Sequence, residues 1–187
     1  NEPMSVNLSK VAKKAKDYPY LLVLMRHAKT EATNKDGDEE RELTDKGRKH
    51  SKKVAKALKS MDLVPDLIAC SGATRARQTA ERLLKVFGDK PEIAYRQSLY
   101  EPGMQSYIDE ILGAPGKTRI LMIVGHEPTM SSLAQWLSSG ESKRAFLDAV
   151  KLGFSPASVA ILGSDKPFDQ WDIDSQKLIG VFSPKDC

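Results

Sequence analysis

Short apolar runs alternate along this chain with stretches whose apolar residues recur every three or four positions. Tyr20-Leu21-Leu22-Val23-Leu24-Met25 runs into Arg26-His27, and Ile120-Leu121-Met122-Ile123-Val124-Gly125 runs into His126. A third run, Leu67-Ile68-Ala69-Cys70, ends on Ser71-Gly72. Runs this short, closed by polar residues, predict strands buried on both faces of a parallel sheet. Ser158 to Leu162 and Lys177 to Phe182 read as late strands. A helix is expected from near Thr44, a good N-cap type, with Val54, Ala55 and Leu58 facing inward. Thr74 to Phe87 places Ala76, Ala80, Leu83, Leu84 and Phe87 at helical spacing, with Gly88 as its stop. Met104 to Leu112 and Thr129 to Leu137 repeat the pattern. The alternation implies an α/β fold: a mostly parallel central sheet flanked by helices on both faces. Residues before Asp17 fit a helix or a frayed arm, and Asn34 to Glu40, with Gly37 among charges, is expected to be a mobile loop.

In such a sheet the ligand site lies beyond the carboxyl ends of the strands. The chain has three histidines, and two of them stand at strand ends. The three apolar runs thus deliver Arg26, His27, Arg75 and His126 toward one rim. Two imidazoles and two guanidiniums together suit an anion, above all a phosphoryl group, because a guanidinium offers a planar fork of donors that matches its oxygens.

Four segments support a family resemblance. Arg26-His27-Ala28-Lys29-Thr30-Glu31 resembles the Arg-His-Gly motif of the histidine phosphatase superfamily, which contains the phosphoglycerate mutases. Arg41-Glu42-Leu43-Thr44-Asp45-Lys46-Gly47 is similar to its Arg-x-Leu-Thr-x-x-Gly stretch. Ser71 to Ala80 is similar to its Ser-Pro-x-x-Arg-Ala-x-Gln-Thr-Ala segment, and Val124-Gly125-His126-Glu127-Pro128 resembles its second-histidine motif. The short length, Ala28 after His27, and Trp171 followed by Leu178 to Pro184 resemble the branch of small phosphohistidine phosphatases called SixA. The likeness spans roughly Leu21 to Pro184 and implies a phosphoglycerate mutase-like fold.

The resemblance also implies roles. His27 would be the nucleophile that becomes phosphohistidine, Arg26 and Arg75 would hold the non-bridging oxygens, and His126 would donate a hydrogen bond to another oxygen. Water would then release phosphate. These cations supply the positive charge, so no metal or other cofactor is expected. Glu101, in Leu99-Tyr100-Glu101-Pro102, is the nearest candidate for the family's proton donor, with a plain loop residue as the alternative. Arg41 fits either a pair with a loop carboxylate or an approach to phosphate; Thr30 fits either a turn or a loop-positioning role. Larger relatives carry Asn seven residues after the motif arginine; here Thr33 stands there and Asn34 follows. Arg77, His50, Trp136 and Trp171 read as surface or packing residues. The expected substrate is a phosphorylated protein bearing phosphohistidine. A small phosphoester is the alternative, and an idle phosphoprotein-binding module or a mutase fits less well.

Composition narrows this further. The chain has 187 residues, 40% hydrophobic and 29% charged, an ordinary globular balance. It is expected to form a basic N-terminal extension, 1–18, and a single domain, 19–187. Asn1-Glu2-Pro3 stand before Met4, and their origin is open. No apolar stretch approaches the roughly 20 residues of a membrane span, and Leu21 to Met25 is too short for a signal-peptide core, so a cytoplasmic protein with no membrane partner is expected. Two cysteines, Cys70 and Cys187, offer neither a metal spacing nor a disulfide framework. The net charge is +4, gathered in Lys10 to Lys16 and in Arg48, Lys49, Lys52, Lys53, Lys56 and Lys59. Without a groove-reading motif this basic face does not indicate nucleic acid; attraction of an acidic protein is its better functional use.

Overall fold

The computed structural model describes residues 6–187, so Asn1-Glu2-Pro3 lie outside the described residues. Among the described residues six strands form one sheet: β1 (Tyr20–Arg26), β2 (Leu67–Ser71), β3 (Glu92–Arg96), β4 (Ile120–Gly125), β5 (Val159–Ser164) and β6 (Lys177–Phe182), in the order β3-β2-β4-β1-β5-β6. β1 runs parallel to β4, and β2 runs parallel to both β3 and β4. β5 pairs antiparallel with β1, and β6 with β5. The antiparallel edge fits its connection, because residues 165–176 between β5 and β6 hold no α-helix, only the 3₁₀ turn Phe168–Gln170. A parallel return needs a crossover of a dozen or more residues, usually a helix.

The described helices are α1 (Leu8–Ala15), α2 (Asp45–Ser60), α3 (Thr74–Phe87), α4 (Gln105–Leu112), α5 (Thr129–Leu137) and α6 (Arg144–Lys151). They divide the core in two. Leu21, Val23 and Met25 of β1 face α1, α2 and α3, while Leu22 and Leu24 face α4, α5 and α6. That two-sided cover is why β1 and β4 read as continuous apolar runs rather than as alternating ones. Leu22, Val23, Leu24 and Met25 are all completely buried, each burial worth roughly 1.5–3 kcal/mol before conformational entropy is subtracted. The first eighteen residues contribute α1, capped by the Asn7 side chain, whose Val11 and Ala15 are buried in the first of these cores. The lysines of α2 at 46, 49, 52, 53, 56 and 59 all lie on its exposed side.

Two elements escape the apolar pattern. β3 is an edge strand with no buried residue, so its sequence shows neither a run nor a clean alternation. In α6 only Val150 is buried; Phe146 and Leu147, one turn earlier, pack against the core from partly buried positions.

Gly47 and Gly125 are among the glycines that close approach requires. A Cβ on Gly47 would collide with the Lys29 carbonyl, and one on Gly125 would collide with the Tyr107 ring and hydroxyl. The second matters to the site, since Tyr107 Oη also accepts the His126 amide (3.1 Å) and donates to the Leu99 carbonyl (2.9 Å). Gly125→Ala should therefore destabilise the protein by about 1–3 kcal/mol through overpacking. Urea unfolding checks this, and a midpoint equal to wild type would contradict the packing.

Candidate active site

Three parallel strand ends converge. The β1–β4 register sets Arg26 opposite Gly125, so the next residue of each strand, His27 and His126, emerges beside the other. Their ring centroids lie 5.2 Å apart. The His27 amide donates to the Gly125 carbonyl (3.0 Å), and its carbonyl accepts the Ala157 amide (3.1 Å), which fixes the residue between β4 and the turn that leads into β5. β2 ends on Ser71, whose Oγ lies 2.7 Å from His126 Nε2. The α3 segment then brings in Arg75, only 5% exposed.

Side chains of the Ser71-to-Ala80 segment tie this corner together. Thr79 Oγ1 accepts the Ala28 amide (3.1 Å) and donates to the Arg75 carbonyl (2.8 Å), which locks the turn after His27 to the helix bearing Arg75. Gln78 Oε1 accepts the Leu43 amide (2.8 Å) and so anchors the chain leading into α2. Ser71 Oγ accepts the Ala73 amide (3.2 Å), which leaves its own proton free for His126 Nε2. In that tautomer His126 Nδ1–H is a donor.

Both imidazoles are neutral at pH 7. Burial pushes His27 down to about 3 and His126 down to about 4, helped by the nearby arginines. The backbone also selects the His27 tautomer. Nδ1 lies 2.8 Å from the Ala28 carbonyl. A carbonyl can only accept, so the proton sits on Nδ1 and Nε2 keeps its lone pair. Arg26 Nη1 donates to the Phe154 carbonyl (2.7 Å). Its pKa is lowered by burial, against which the Glu127 carboxylate works. The Nε atoms of Arg26 and Arg75 are buried without a partner among the described residues. Orphaned buried donors are rare, and two on adjacent guanidiniums suit an oxyanion.

The remaining sequence candidates form the surround. Arg41 Nε donates to Asp38 Oδ1 (2.9 Å), and Arg41 Nη1 donates to Thr30 Oγ1 (2.8 Å) and the Glu31 carbonyl (3.1 Å). Arg41 thus makes a pair with a loop carboxylate, one of the two roles open to it, and Thr30 helps hold that loop. Glu101 is exposed and has no hydrogen bond or ion pair among the described residues. Asn34 bonds Glu31 and the Glu40 carbonyl rather than the pocket. Arg77 lies over the Tyr95 ring, and Trp171 packs on Phe168. The segment Asn34 to Glu40, expected to be mobile, is bonded across the pocket: Asp38 to Arg75 and Tyr100, Glu39 to Gln97, and Glu40 to Thr74.

Three residues of this site were not singled out from sequence. Asp38 accepts from Arg75 through both its carbonyl (2.8 Å) and its carboxylate (3.2 Å). Tyr100 donates to Asp38 Oδ2 (2.8 Å) and stands edge-on to His126 at 5.6 Å. Glu127 accepts from the Ser131 amide and hydroxyl and from the Phe154 amide, while Phe154 receives Arg26 through its carbonyl. The one advance signal was the place of Glu127 directly after His126.

The profile of the histidine phosphatase superfamily (branch 1) matches residues 22–104. An uncharacterised protein of Mycobacterium tuberculosis is 32% identical over 162 residues, covering 86% of this chain and 100% of that relative. A structure from Agrobacterium tumefaciens, proposed to be the phosphohistidine phosphatase SixA, has a TM-score of 0.73 at 27% identity, over 89% of this chain and 99% of that one. A second such SixA structure, from Nakamurella multipartitia, has a TM-score of 0.73 at 25% identity, over 87% of this chain and 94% of that one. The chain belongs to the histidine phosphatase superfamily. Within it the likeness is to the SixA-type branch, and the sheet and helices above are the α/β fold of that group. Among the described residues of this phosphatase, no helix is long and apolar enough to cross a membrane.

The low histidine pKa values have a consequence for stability. Unfolding returns both imidazoles to about 6.5, so the unfolded chain binds more protons than the native one between about pH 6.5 and 4. Stability must then fall as pH drops through that window. His126→Asn should flatten the slope of unfolding free energy against pH there by about one proton, or about 1.4 kcal/mol per pH unit. Urea titrations at several pH values measure it, and equal slopes would contradict a buried neutral His126.

Proposed function

We propose that this phosphatase hydrolyses phosphohistidine on a protein through a covalent intermediate on His27. The observation that supports it best is the hydrogen bond from His27 Nδ1–H to the Ala28 carbonyl. It leaves the Nε2 lone pair free beside His126 and the two arginines, in a ring that stays neutral because it is buried. A neutral imidazole whose far nitrogen is already hydrogen-bonded is a ready nucleophile, with no proton to lose before attack.

The sequence runs as follows. His27 Nε2 attacks phosphorus in line as the bond to the leaving group breaks. Arg26 and Arg75 take the non-bridging oxygens and neutralise charge as it moves onto them, and His126 Nδ1–H donates to another. As Nε2 gains positive character, the Ala28 carbonyl stabilises the Nδ1–H it holds. Water then attacks the phosphorylated His27 and phosphate departs. Arg26 and Arg75 supply the positive charge and His126 a neutral hydrogen-bond donor, so the proposed reaction proceeds without a metal.

The choice of phosphohistidine rests on the leaving group. An alkoxide leaving from a phosphate ester needs a positioned acid, and Glu101 is exposed and unpartnered. An imidazole leaving group takes its proton from solvent near neutral pH. The SixA proteins similar to this chain support the same reading.

Two experiments test it. Rapid quench with labelled phosphohistidine protein should trap an acid-labile, base-stable adduct that is absent from His27→Ala. It should form equally well after exhaustive chelation; an adduct on another residue, or activity lost with EDTA and restored by magnesium, would overturn the mechanism. Glu101→Gln should change kcat/KM on phosphohistidine by less than about tenfold, or 1.4 kcal/mol. A loss of a hundredfold or more, the usual worth of a general acid, would make Glu101 the proton donor and favour a phosphomonoesterase.

A further inference from the structure

The pocket suits an anion, yet its mouth is acidic. Between Glu31 and Glu42 the chain holds six carboxylates against two cations, Lys35 and Arg41. At the centre of this segment is Asp38. Its side chain is 56% exposed while that of its partner Arg75 is 6% exposed, so Asp38 lies on the solvent side of the buried guanidinium. It also bonds Tyr100, the ring that stands against His126. A phosphoryl group held by Arg26, Arg75 and the two histidines would direct its leaving group toward solvent, the side on which this carboxylate lies.

We propose that Asp38 is a specificity-determining residue that accepts a hydrogen bond from the leaving imidazole of the substrate. Resting on the phosphohistidine reading above, this names the chemical class that the mouth selects: a protonated, cationic leaving group in place of an anionic one.

Three observations support it. First, Asp38 is ionised, its pKa pulled down to about 2 by the Tyr100 hydroxyl and the neighbouring arginines. It therefore accepts and cannot serve as an acid at neutral pH. Second, its carboxylate takes Tyr100 and Arg75 on Oδ2 and Arg41 on Oδ1. A carboxylate has about four lone-pair sites, so one remains for a ligand N–H. Third, the segment around it is net negative, which attracts a phosphoimidazolium and repels a substrate whose leaving group carries its own negative charge.

The chemistry balances without an added acid. The substrate ring is protonated on the nitrogen that does not carry phosphorus, and that N–H donates to Asp38. His27 Nε2 forms its bond to phosphorus as the substrate P–N bond breaks. The electron pair of that bond returns to the ring nitrogen, and the ring leaves as neutral imidazole still bearing its N–H. Asp38 favours the protonated substrate ring and so the better leaving group.

The test is the ratio of kcat/KM on a phosphohistidine protein to kcat/KM on p-nitrophenyl phosphate, for wild type and Asp38→Asn. The second substrate loses a phenolate and offers no N–H. Asp38→Asn should lower the ratio at least fivefold. Any smaller change overturns the inference, because a residue that merely positions Arg75 would affect both substrates alike. A wild type that cleaves p-nitrophenyl phosphate but not phosphohistidine would instead sink the phosphohistidine reading, and this inference with it.

Discussion

The site depends on the parallel pairing of β1 with β4. Setting Arg26 opposite Gly125 fixes which residues leave the two strands together, and a slip of one residue would turn every side chain of β1 to the other face. The slip is opposed on both sides of the sheet, because Leu21, Val23 and Met25 fill one core while Leu22 and Leu24 fill the other. The bare α-carbon of Gly125 lets Tyr107 sit against the end of β4, where its hydroxyl receives the His126 amide. Register, core and histidine placement are therefore one constraint. The geometry of the pocket is inherited from the sheet rather than built in a loop.

Electrostatics then divides the site by depth. Deep in the pocket, burial removes the charge from both imidazoles while both guanidiniums stay close. In the proposed reaction His27 is thereby left a nucleophile rather than a cation, and the attraction for phosphoryl oxygens would come from Arg26 and Arg75. Toward solvent, Asp38 and its acidic neighbours reverse the sign. Arg75 joins the two layers, with its backbone carbonyl tied through Thr79 to the turn after His27 and its guanidinium tied to Asp38. A change at Asp38 can thus reach the inner layer, and only a comparison between leaving groups separates the two effects.

Much of this was legible in the sequence. β1, β2 and β4 are doubly covered strands, so their apolar runs marked them and the histidines at their ends. α2, α3, α4 and α5 each bury a periodic stripe. β3 gave no such sign because it lies at the sheet edge with no buried residue. Within the site, residues fixed by strand ends and by the first turns of α3 were readable from local order. Asp38 was not, since its bonds to Arg75 and Tyr100 span 37 and 62 positions and exist only once the 31–42 segment has folded over α3. For Arg41 the sequence left two roles open, and the carboxylate it pairs with lies three residues before it.

The central claim is that His27 waits as a neutral ring with its proton on Nδ1. Nitrogen-15 NMR of the histidines in the resting enzyme at pH 7 tests this directly, because protonated and bare ring nitrogens resonate far apart. The account predicts a His27 signal pair with Nδ1 protonated and Nε2 bare, unchanged as the pH is lowered from 7 to 5. A His27 ring that carries its proton on Nε2, or that gains a second proton within that range, would contradict it.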